Sequence, residues 1–248
     1  MEKKDYFSGQ SKVYAAFRPT YPSDLYQFIF KHLHHKSYAW DCATGNGQVA
    51  QYLANYFDMV CATDISQQQI DHALPAKNIF YSVSSAEHTA FKGNQFDLIT
   101  VGQALHWFNV DEFYEEVMRT AKAKGLLAVW GYTLLTIDPP IDEMFMDFYT
   151  NTTGPYWDKA RKLIENEYRE IPFPFEQIVS PEFTIKVNWT LDQFAGYLTS
   201  WSATQKYISV HGINPVDKFI GTLKTIWKEH SLKVVTFPVF MKLGRVVP

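Results

Sequence analysis

The segment DCATGNGQVA, residues 41–50, decides the fold. It follows the stretch SYAW and is typical of a β-strand that breaks into a glycine turn and continues into a helix. Gly45 and Gly47 allow the backbone to turn tightly and to approach a ligand closely. The helix that begins near Gln48 directs its N–H groups and its dipole at the same point. The segment therefore predicts a binding site for a nucleotide-bearing ligand.

A second acidic residue strengthens this prediction. Asp64 ends the strand-like run MVCATD, residues 59–64, in the next βα unit. A carboxylate at that place can accept hydrogen bonds from both hydroxyls of a ribose. GNGQVA, with Ala50 as the third small residue, also fits the dinucleotide fingerprint G-x-G-x-x-G/A. An NAD-dependent oxidoreductase is therefore one reading of this segment.

The surrounding chain alternates strand-like and helical segments. Short apolar runs at residues 37–42, 59–64, 78–85, 96–102 and 126–132 are separated by amphipathic segments of helical period. This alternation predicts parallel βαβ units. We expect an α/β fold: a Rossmann-like, doubly wound, mostly parallel seven-stranded sheet with helices on both faces and a helical, aromatic cover over the C-terminal strand ends.

The predicted organisation is a single domain over residues 1–248, since no linker-like segment divides the chain. Its expected parts are an N-terminal helical lid (1–35), a cofactor-binding βαβ core (36–135), a mainly helical substrate cover with one strand (136–232) and a final strand that returns to the sheet (233–248). Pro238 in the last run indicates an edge strand or a bulge.

Composition narrows the function classes. The chain has 248 residues, 46% hydrophobic and 20% charged, with a net charge of −3 and no dense Lys/Arg block, so we expect no nucleic-acid partner. No apolar run reaches the length of a membrane helix, and the start MEKKDYFSGQ is unlike a signal peptide, so we expect no membrane partner and a cytoplasmic location. Cys42 and Cys61 lack metal-ligand spacing, so we expect no metal.

The residues before the glycines separate the two nucleotide chemistries. DCATGNG resembles motif I of the class I S-adenosylmethionine-dependent methyltransferases, in which an acidic residue precedes small residues and a G-x-G. The resemblance implies that Asp41 contacts the methionyl amino group, a cation. Beside a diphosphate the same carboxylate would meet a like charge, which is unfavourable. Ala43 stands where this family commonly has glycine.

Further segments resemble the same family. ATDIS implies Asp64 at the ribose and Ile65 at adenine, SSAEHTAF implies contacts to the adenine edge, and FDLITVGQALHWF resembles motif IV with its following loop. The segments YAAFRPTYP, QALHWF, PFPF and LTSWSA resemble the small-molecule branch that contains trans-aconitate methyltransferase. The cofactor-binding residues that the resemblance implies are Tyr14, Arg18, Asp41, Ala43, Gly45, Asn46, Gly47, Asp64, Ile65, Ser85, Ala86, Glu87 and Gln103.

The expected reaction is in-line displacement at the methyl carbon of S-adenosylmethionine by a small organic acceptor, with a carboxylic acid as one candidate. The candidate catalytic residues are His106, as a base or as a structural residue of its loop, and Trp107, as a wall of the methyl channel. The candidate acceptor-binding residues are Tyr21, Trp130, Tyr132 and Trp201. A regulatory protein that binds the cofactor without turnover is a further alternative.

Overall fold

A computed structural model describes residues 19–228 and 230–247. In chain order the described elements are α1 (Ser23–Lys31), β1 (Tyr38–Cys42), α2 (Gln48–Leu53), β2 (Met59–Asp64), α3 (Gln67–Asp71), β3 (Ile79–Val83), β4 (Phe96–Gly102), a 3₁₀ turn (Leu105–Trp107), α4 (Val110–Thr120), β5 (Ala121–Tyr132), α5 (Pro139–Asp147), α6 (Arg161–Glu165), β6 (Glu176–Ile178), β7 (Phe183–Trp189), α7 (Leu191–Thr199), α8 (Ser202–His211), α9 (Pro215–Leu223) and β8 (Lys233–Arg245). A π-helical turn (Phe148–Thr152) and a second 3₁₀ turn (Gly154–Tyr156) lie between α5 and α6.

The strands form one mixed sheet in the order β3-β2-β1-β4-β5-β8-β6, and β7 also pairs with β8. The strands from β3 to β5 are parallel, whereas β8 runs antiparallel to β5, β6 and β7. Eight strands therefore occupy seven positions, because β6 and β7 share the far side of the long strand β8. The doubly wound, mostly parallel sheet is confirmed, with one strand more than the sequence predicted.

The additional strand is β6. Residues 136–232 were expected to contain one strand, but they hold both β6 and β7. β6 covers only three residues, Glu176–Ile178, opposite Leu243–Arg245 of β8. Three residues are too few for an alternating pattern to be visible in the sequence.

The final strand lies inside the sheet, so the expectation of an edge strand or bulge at Pro238 is wrong. β8 is flanked by β5 on one side and by β6 and β7 on the other. Pro238 stands one residue before Val239, whose partner Tyr132 is the last residue of β5. The missing N–H of Pro238 therefore falls where β5 has already ended, and its carbonyl still accepts the N–H of Thr133 at 3.0 Å.

The sheet buries a core on each face. Trp130 of β5 belongs to the core under α1, α2 and the later helices, and Trp40 of β1 belongs to the core under α4. Both indoles are fully buried. Full burial of a large apolar side chain contributes about 1.5–3 kcal/mol, so these cores hold the strand ends in fixed positions.

The chain order reverses beside β1, which pairs with β2 on one side and with β4 on the other. In an open α/β sheet, ligands bind outside the carboxyl ends of the strands at such a reversal. Here those ends are Cys42 and Gly102. A ligand-binding site is therefore expected at the turns that follow these two residues.

Within residues 19–228 and 230–247, none of the helices combines the length and the apolar character needed to cross a bilayer. The same residues contain no cluster of three or more His, Cys, Asp or Glu side chains arranged to hold a metal ion.

Candidate active site

A cavity of about 250 Å³ opens at the carboxyl ends of β1, β2 and β4. It brings together residues that are far apart in the sequence. The residues proposed from the sequence that line it are Tyr21, Asp41, Ala43, Gly45, Asn46, Asp64, Ile65, Ser85, Ala86, Glu87, Gln103, Trp107 and Tyr132. Tyr14 and Arg18 lie outside the described residues.

Asp41 lies at the base of the cavity and is almost fully buried. Its Oδ1 accepts from the hydroxyl of Thr100 at 2.8 Å, and its Oδ2 accepts from the Thr44 hydroxyl at 2.5 Å and the Ala50 N–H at 3.1 Å. Burial raises the pKa of Asp41 from 3.8 to about 6; these three donors oppose that rise, and the negative charge of Asp64 adds to it. A cation in the cavity would stabilise the ionised carboxylate.

Asp64 connects the two turns that border the cavity. Its Oδ2 accepts the N–H of Gly45 at 2.8 Å, and its Oδ1 accepts the N–H of Ser66 at 2.9 Å. The carboxylate that the sequence assigned to a ribose thus also fixes the backbone of the glycine turn against the end of β2.

The glycine turn has left-handed backbone geometry. Gly45 has a φ of 56° and Gly47 a φ of 87°, and Ala43 adopts a φ of 54°, which costs a non-glycine residue about 1–2 kcal/mol. Gly47 does not line the cavity. A Cβ at that position would lie 2.3 Å from the Tyr81 hydroxyl, so Gly47 is needed for the close approach of the turn to β3.

Gln103 continues the pairing of β4 with β5 beyond the end of β4. Its side-chain Oε1 accepts the Tyr132 N–H at 2.7 Å, and its Nε2 donates to the Tyr132 carbonyl at 3.2 Å. Gln103 also has a positive φ of 59°. Both residues line the cavity, so this pair fixes one wall of it.

Another part of the cavity lining combines apolar and polar groups. Ile65 is 50% exposed and lines the cavity, where its aliphatic side chain can contact a flat aromatic ligand. Glu87 is buried, and its Oε1 accepts the N–H of Asn109 at 3.1 Å. The Ser85 hydroxyl accepts the N–H of His88 at 3.2 Å. Glu87 and Ser85 therefore support the loops beside the cavity.

The cavity is electronegative. The charged side chains among its described lining residues are Asp41, Asp64 and Glu87, and that lining contains no Lys, Arg or His. Such a lining favours a cationic ligand and disfavours the diphosphate of a dinucleotide. The charge pattern therefore fits a positively charged sulfonium cofactor and disfavours an NAD-dependent oxidoreductase.

His106 does not line the cavity. Its Nδ1 lies 2.9 Å from the hydroxyl of the buried Tyr168, which comes from a segment 62 residues further along the chain. Burial lowers the pKa of His106 to about 3; the positive charge of Arg161 adds to this effect and Asp158 opposes it. Neutral at physiological pH and very weakly basic, His106 is poorly suited to accept a proton from an acceptor.

The three tryptophans proposed from the sequence have different environments. Trp107, 38% exposed, lines the cavity. Trp130 is fully buried behind Gly102 and meets Tyr21 edge to face, with ring centroids 5.5 Å apart. Trp201 is buried among aromatic side chains of the helical cover, such as Trp157 at 5.2 Å. Trp130 and Trp201 are therefore core residues outside the cavity lining.

Gln69 is a cavity residue that the sequence did not reveal. It is 4% exposed, it lines the cavity, and its Oε1 has no hydrogen-bond partner among the described residues. An unsatisfied buried polar group costs about 1–3 kcal/mol, which a donor on a ligand would recover. Gln69 stands three residues after the helix N-cap Ser66, a spacing that suggests helix capping instead of ligand binding.

These features define the site of an S-adenosylmethionine-dependent methyltransferase: a glycine turn at the reversal of a Rossmann-like sheet, carboxylates suited to a cation, and an unsatisfied acceptor. The comparisons agree. Residues 40–129 match the family described as methyltransferase domain. A putative methyltransferase of Dictyostelium discoideum is 34% identical over 97% of this chain and 95% of its own length.

More distant and structural relatives extend this result. A probable S-adenosylmethionine-dependent methyltransferase of Saccharomyces cerevisiae is 22% identical over 91% of this chain and 90% of its own. The solved structure of a putative type II methyltransferase from Anaeromyxobacter dehalogenans has a TM-score of 0.87 and 32% identity, over 94% of this chain and 99% of that chain. The chain belongs to the class I S-adenosylmethionine-dependent methyltransferases. The trans-aconitate-like branch stays a prediction.

Proposed function

We propose that this methyltransferase acts on a small organic acceptor, and that the acceptor is a carboxylic acid. One observation carries the choice of acid: the described lining of the cavity contains no His, Lys or Cys, and its carboxylates Asp41, Asp64 and Glu87 already accept hydrogen bonds from backbone N–H groups. His106 lies outside that lining and is a weak base. A hydroxyl or amine acceptor requires a base near neutral pKa. A carboxylate is already nucleophilic at neutral pH.

Within this proposal the residues have separate roles. Asp41 binds the methionyl ammonium group, Asp64 and Gln69 accept from hydroxyl or amino donors of the cofactor, and Ile65 contacts adenine. Gln103, Trp107 and Tyr132 form the wall at the acceptor end and limit access of water. Tyr21 covers the same wall from the segment before α1.

The cofactor, when bound, supplies a methyl carbon activated by positive sulfur. An oxygen lone pair of the acceptor forms the new O–C bond while the S–C electron pair returns to sulfur. The products are a methyl ester and S-adenosylhomocysteine, and no proton is transferred. The contribution of the protein is to hold the reacting atoms about 3–3.5 Å apart, which lowers the barrier by several kcal/mol.

The test is transfer of a radiolabelled methyl group from S-adenosylmethionine to matched sets of acceptors. One set contains aliphatic, aromatic and dicarboxylic acids, and two others contain amines and phenols of similar shape. We expect base-labile methyl esters from the first set. Methylation of amines or phenols alone would reject the acid while leaving the methyltransferase activity intact.

A further inference from the structure

Arg161 does not line the cavity itself, but it belongs to a helix that packs beside the cavity. It is the first residue of α6, and α6 packs against the 3₁₀ turn Leu105–Trp107. Trp107 of that turn lines the cavity. The positive charge of Arg161 is close enough to contribute to the lowered pKa of His106 in the same turn. The guanidinium therefore acts electrostatically on the loop that borders the site.

The guanidinium of Arg161 has no carboxylate partner within 4.0 Å among the described residues. Two other described arginines pair with carboxylates: Arg119 lies 2.6 Å from Glu116 and Arg169 lies 2.5 Å from Glu167. Arg245 instead donates to the backbone carbonyls of Lys124 and His32. Among the described residues, the Arg161 side chain makes one hydrogen bond, a long one of 3.4 Å from Nε to the Tyr149 hydroxyl. Its two Nη groups thus retain their capacity to donate to an anion.

The surroundings hold Arg161 in a defined position. Its Cζ lies 4.8 Å from the ring centroid of Trp157, a cation–π contact that needs no counter-ion. The Tyr149 hydroxyl is itself hydrogen-bonded to Glu165, so the long bond to Nε has a fixed acceptor. A half-buried arginine stacked on an indole is well suited to recognise a carboxylate with its outer edge.

The charge distribution of the whole site supports the same assignment. The cofactor cavity has the carboxylates of Asp41, Asp64 and Glu87, which repel an anionic acceptor. An acid that approaches the methyl group therefore needs a compensating cation on the other side. Arg161 supplies a positive charge next to the 3₁₀ turn.

We propose that Arg161, stacked on Trp157, binds the carboxylate of the methyl acceptor and selects anionic over neutral acceptors. This assignment rests on the proposed methyl transfer to a carboxylic acid. It makes Arg161 a specificity-determining residue of the acceptor site.

The experiment measures acceptor binding and turnover in Arg161→Gln, Arg161→Lys and the control Arg169→Gln. Arg169 is 76% exposed and pairs with Glu167 on the surface. The probes are the carboxylic acids of the panel above and their neutral primary amides. Ligand-observed NMR measures binding to the complex with S-adenosylhomocysteine, and methyl transfer gives kcat and KM for the acids that react.

We expect Arg161→Gln to weaken binding of the acids, and to raise KM, by about thirtyfold, since a charge-assisted contact is lost. Affinity for S-adenosylhomocysteine and for the amides should stay within about threefold of wild type, which an unfolded or distorted variant would not allow. Arg161→Lys should be intermediate because it keeps the charge but not the planar donor pair. Arg169→Gln should match wild type.

Two results would overturn the assignment. One is an equal effect of Arg161→Gln on acids and amides, which would indicate a purely structural role. The other is failure of every acid to bind the wild-type complex while S-adenosylhomocysteine still binds. Failure of S-adenosylhomocysteine itself to bind would instead count against the cofactor site, so the two failures are distinguishable.

Discussion

Asp64 accepts the backbone N–H of Gly45 at 2.8 Å, which fastens the glycine turn after β1 to the end of β2. The same carboxylate accepts the N–H of Ser66. The two loops that flank the proposed cofactor are therefore joined through one side chain before any ligand arrives. This preorganisation reduces the ordering cost that binding would otherwise have to meet.

Replacement of Asp64 should affect both stability and cofactor binding. We expect Asp64→Ala to weaken binding of S-adenosylhomocysteine by about 1–3 kcal/mol and to lower the free energy of unfolding by a similar amount, because two backbone donors lose their acceptor. Calorimetry and thermal unfolding measure the two effects. Asp58→Ala, at an exposed position just before β2, is the matched control and should change neither. Unchanged affinity in Asp64→Ala would contradict the role of Asp64.

Asp41 should make cofactor binding and stability depend on pH in opposite ways. The folded protein takes up a proton at Asp41 as the pH falls through about 6, whereas a carboxyl with the ordinary pKa of 3.8 does so only at lower pH. Ionised Asp41 therefore costs stability above pH 6, by about 3 kcal/mol at most, and this cost disappears as the pH falls toward 4. Cofactor affinity should fall over the same range because the carboxylate is neutralised.

The variant Asp41→Asn isolates this effect. At about pH 8 it should unfold at a temperature higher than wild type by about 5 °C, since the buried charge is gone. The difference should shrink toward pH 4, and affinity for S-adenosylhomocysteine should be low at every pH. Equal melting temperatures for both proteins at all pH values would show that Asp41 carries no such cost.

Gln69 should show a trade-off between stability and binding. Gln69→Leu removes the unsatisfied buried Oε1 and should stabilise the unliganded protein by about 1 kcal/mol. It should weaken S-adenosylhomocysteine binding about tenfold, because the ligand donor then has no acceptor. Gln68→Leu, on an exposed position of the same helix, is the control. A gain in stability with full affinity would mean that Gln69 makes no contact with the cofactor.

His106 should have little influence on the chemical step with an acid acceptor. We expect His106→Gln to keep kcat within about threefold of wild type. The unfolded chain binds a proton at the ordinary histidine pKa of 6.5, but folded His106 does so only near 3, so the contribution of His106 to the free energy of unfolding falls as the pH drops below 6.5. His106→Gln should lose less stability over that range in thermal unfolding. A large loss of kcat, with a kinetic pKa near 6.5 removed, would restore His106 as a base.

The sequence predicted the sheet well because the parallel strands are continuous buried runs. β2 and β4 begin and end at the predicted residues, Met59–Asp64 and Phe96–Gly102, since each is a compact apolar run. The residues at their carboxyl ends could also be predicted, because topology brings strand ends together at one edge. This is why Asp41, Asp64 and Gln103 all reach one cavity.

Long-range packing decided the features that the sequence did not reveal. The setting of His106 depends on Tyr168, a contact that no local pattern encodes. The sequence assigned Gly47 to ligand binding. In the structure, a side chain at Gly47 is disfavoured because the Tyr81 hydroxyl of β3 lies where a Cβ would be. Trp201 resembles a pocket residue in sequence and is a core residue in the fold, because an aromatic side chain suits both environments.

The measurement that tests the central claim most directly is calorimetric titration of the wild-type protein with S-adenosylhomocysteine and, separately, with NADH. An electronegative cavity beside the glycine turn predicts saturable binding of S-adenosylhomocysteine with one site per chain and no heat of binding with NADH. Binding of NADH together with no binding of S-adenosylhomocysteine would contradict the account.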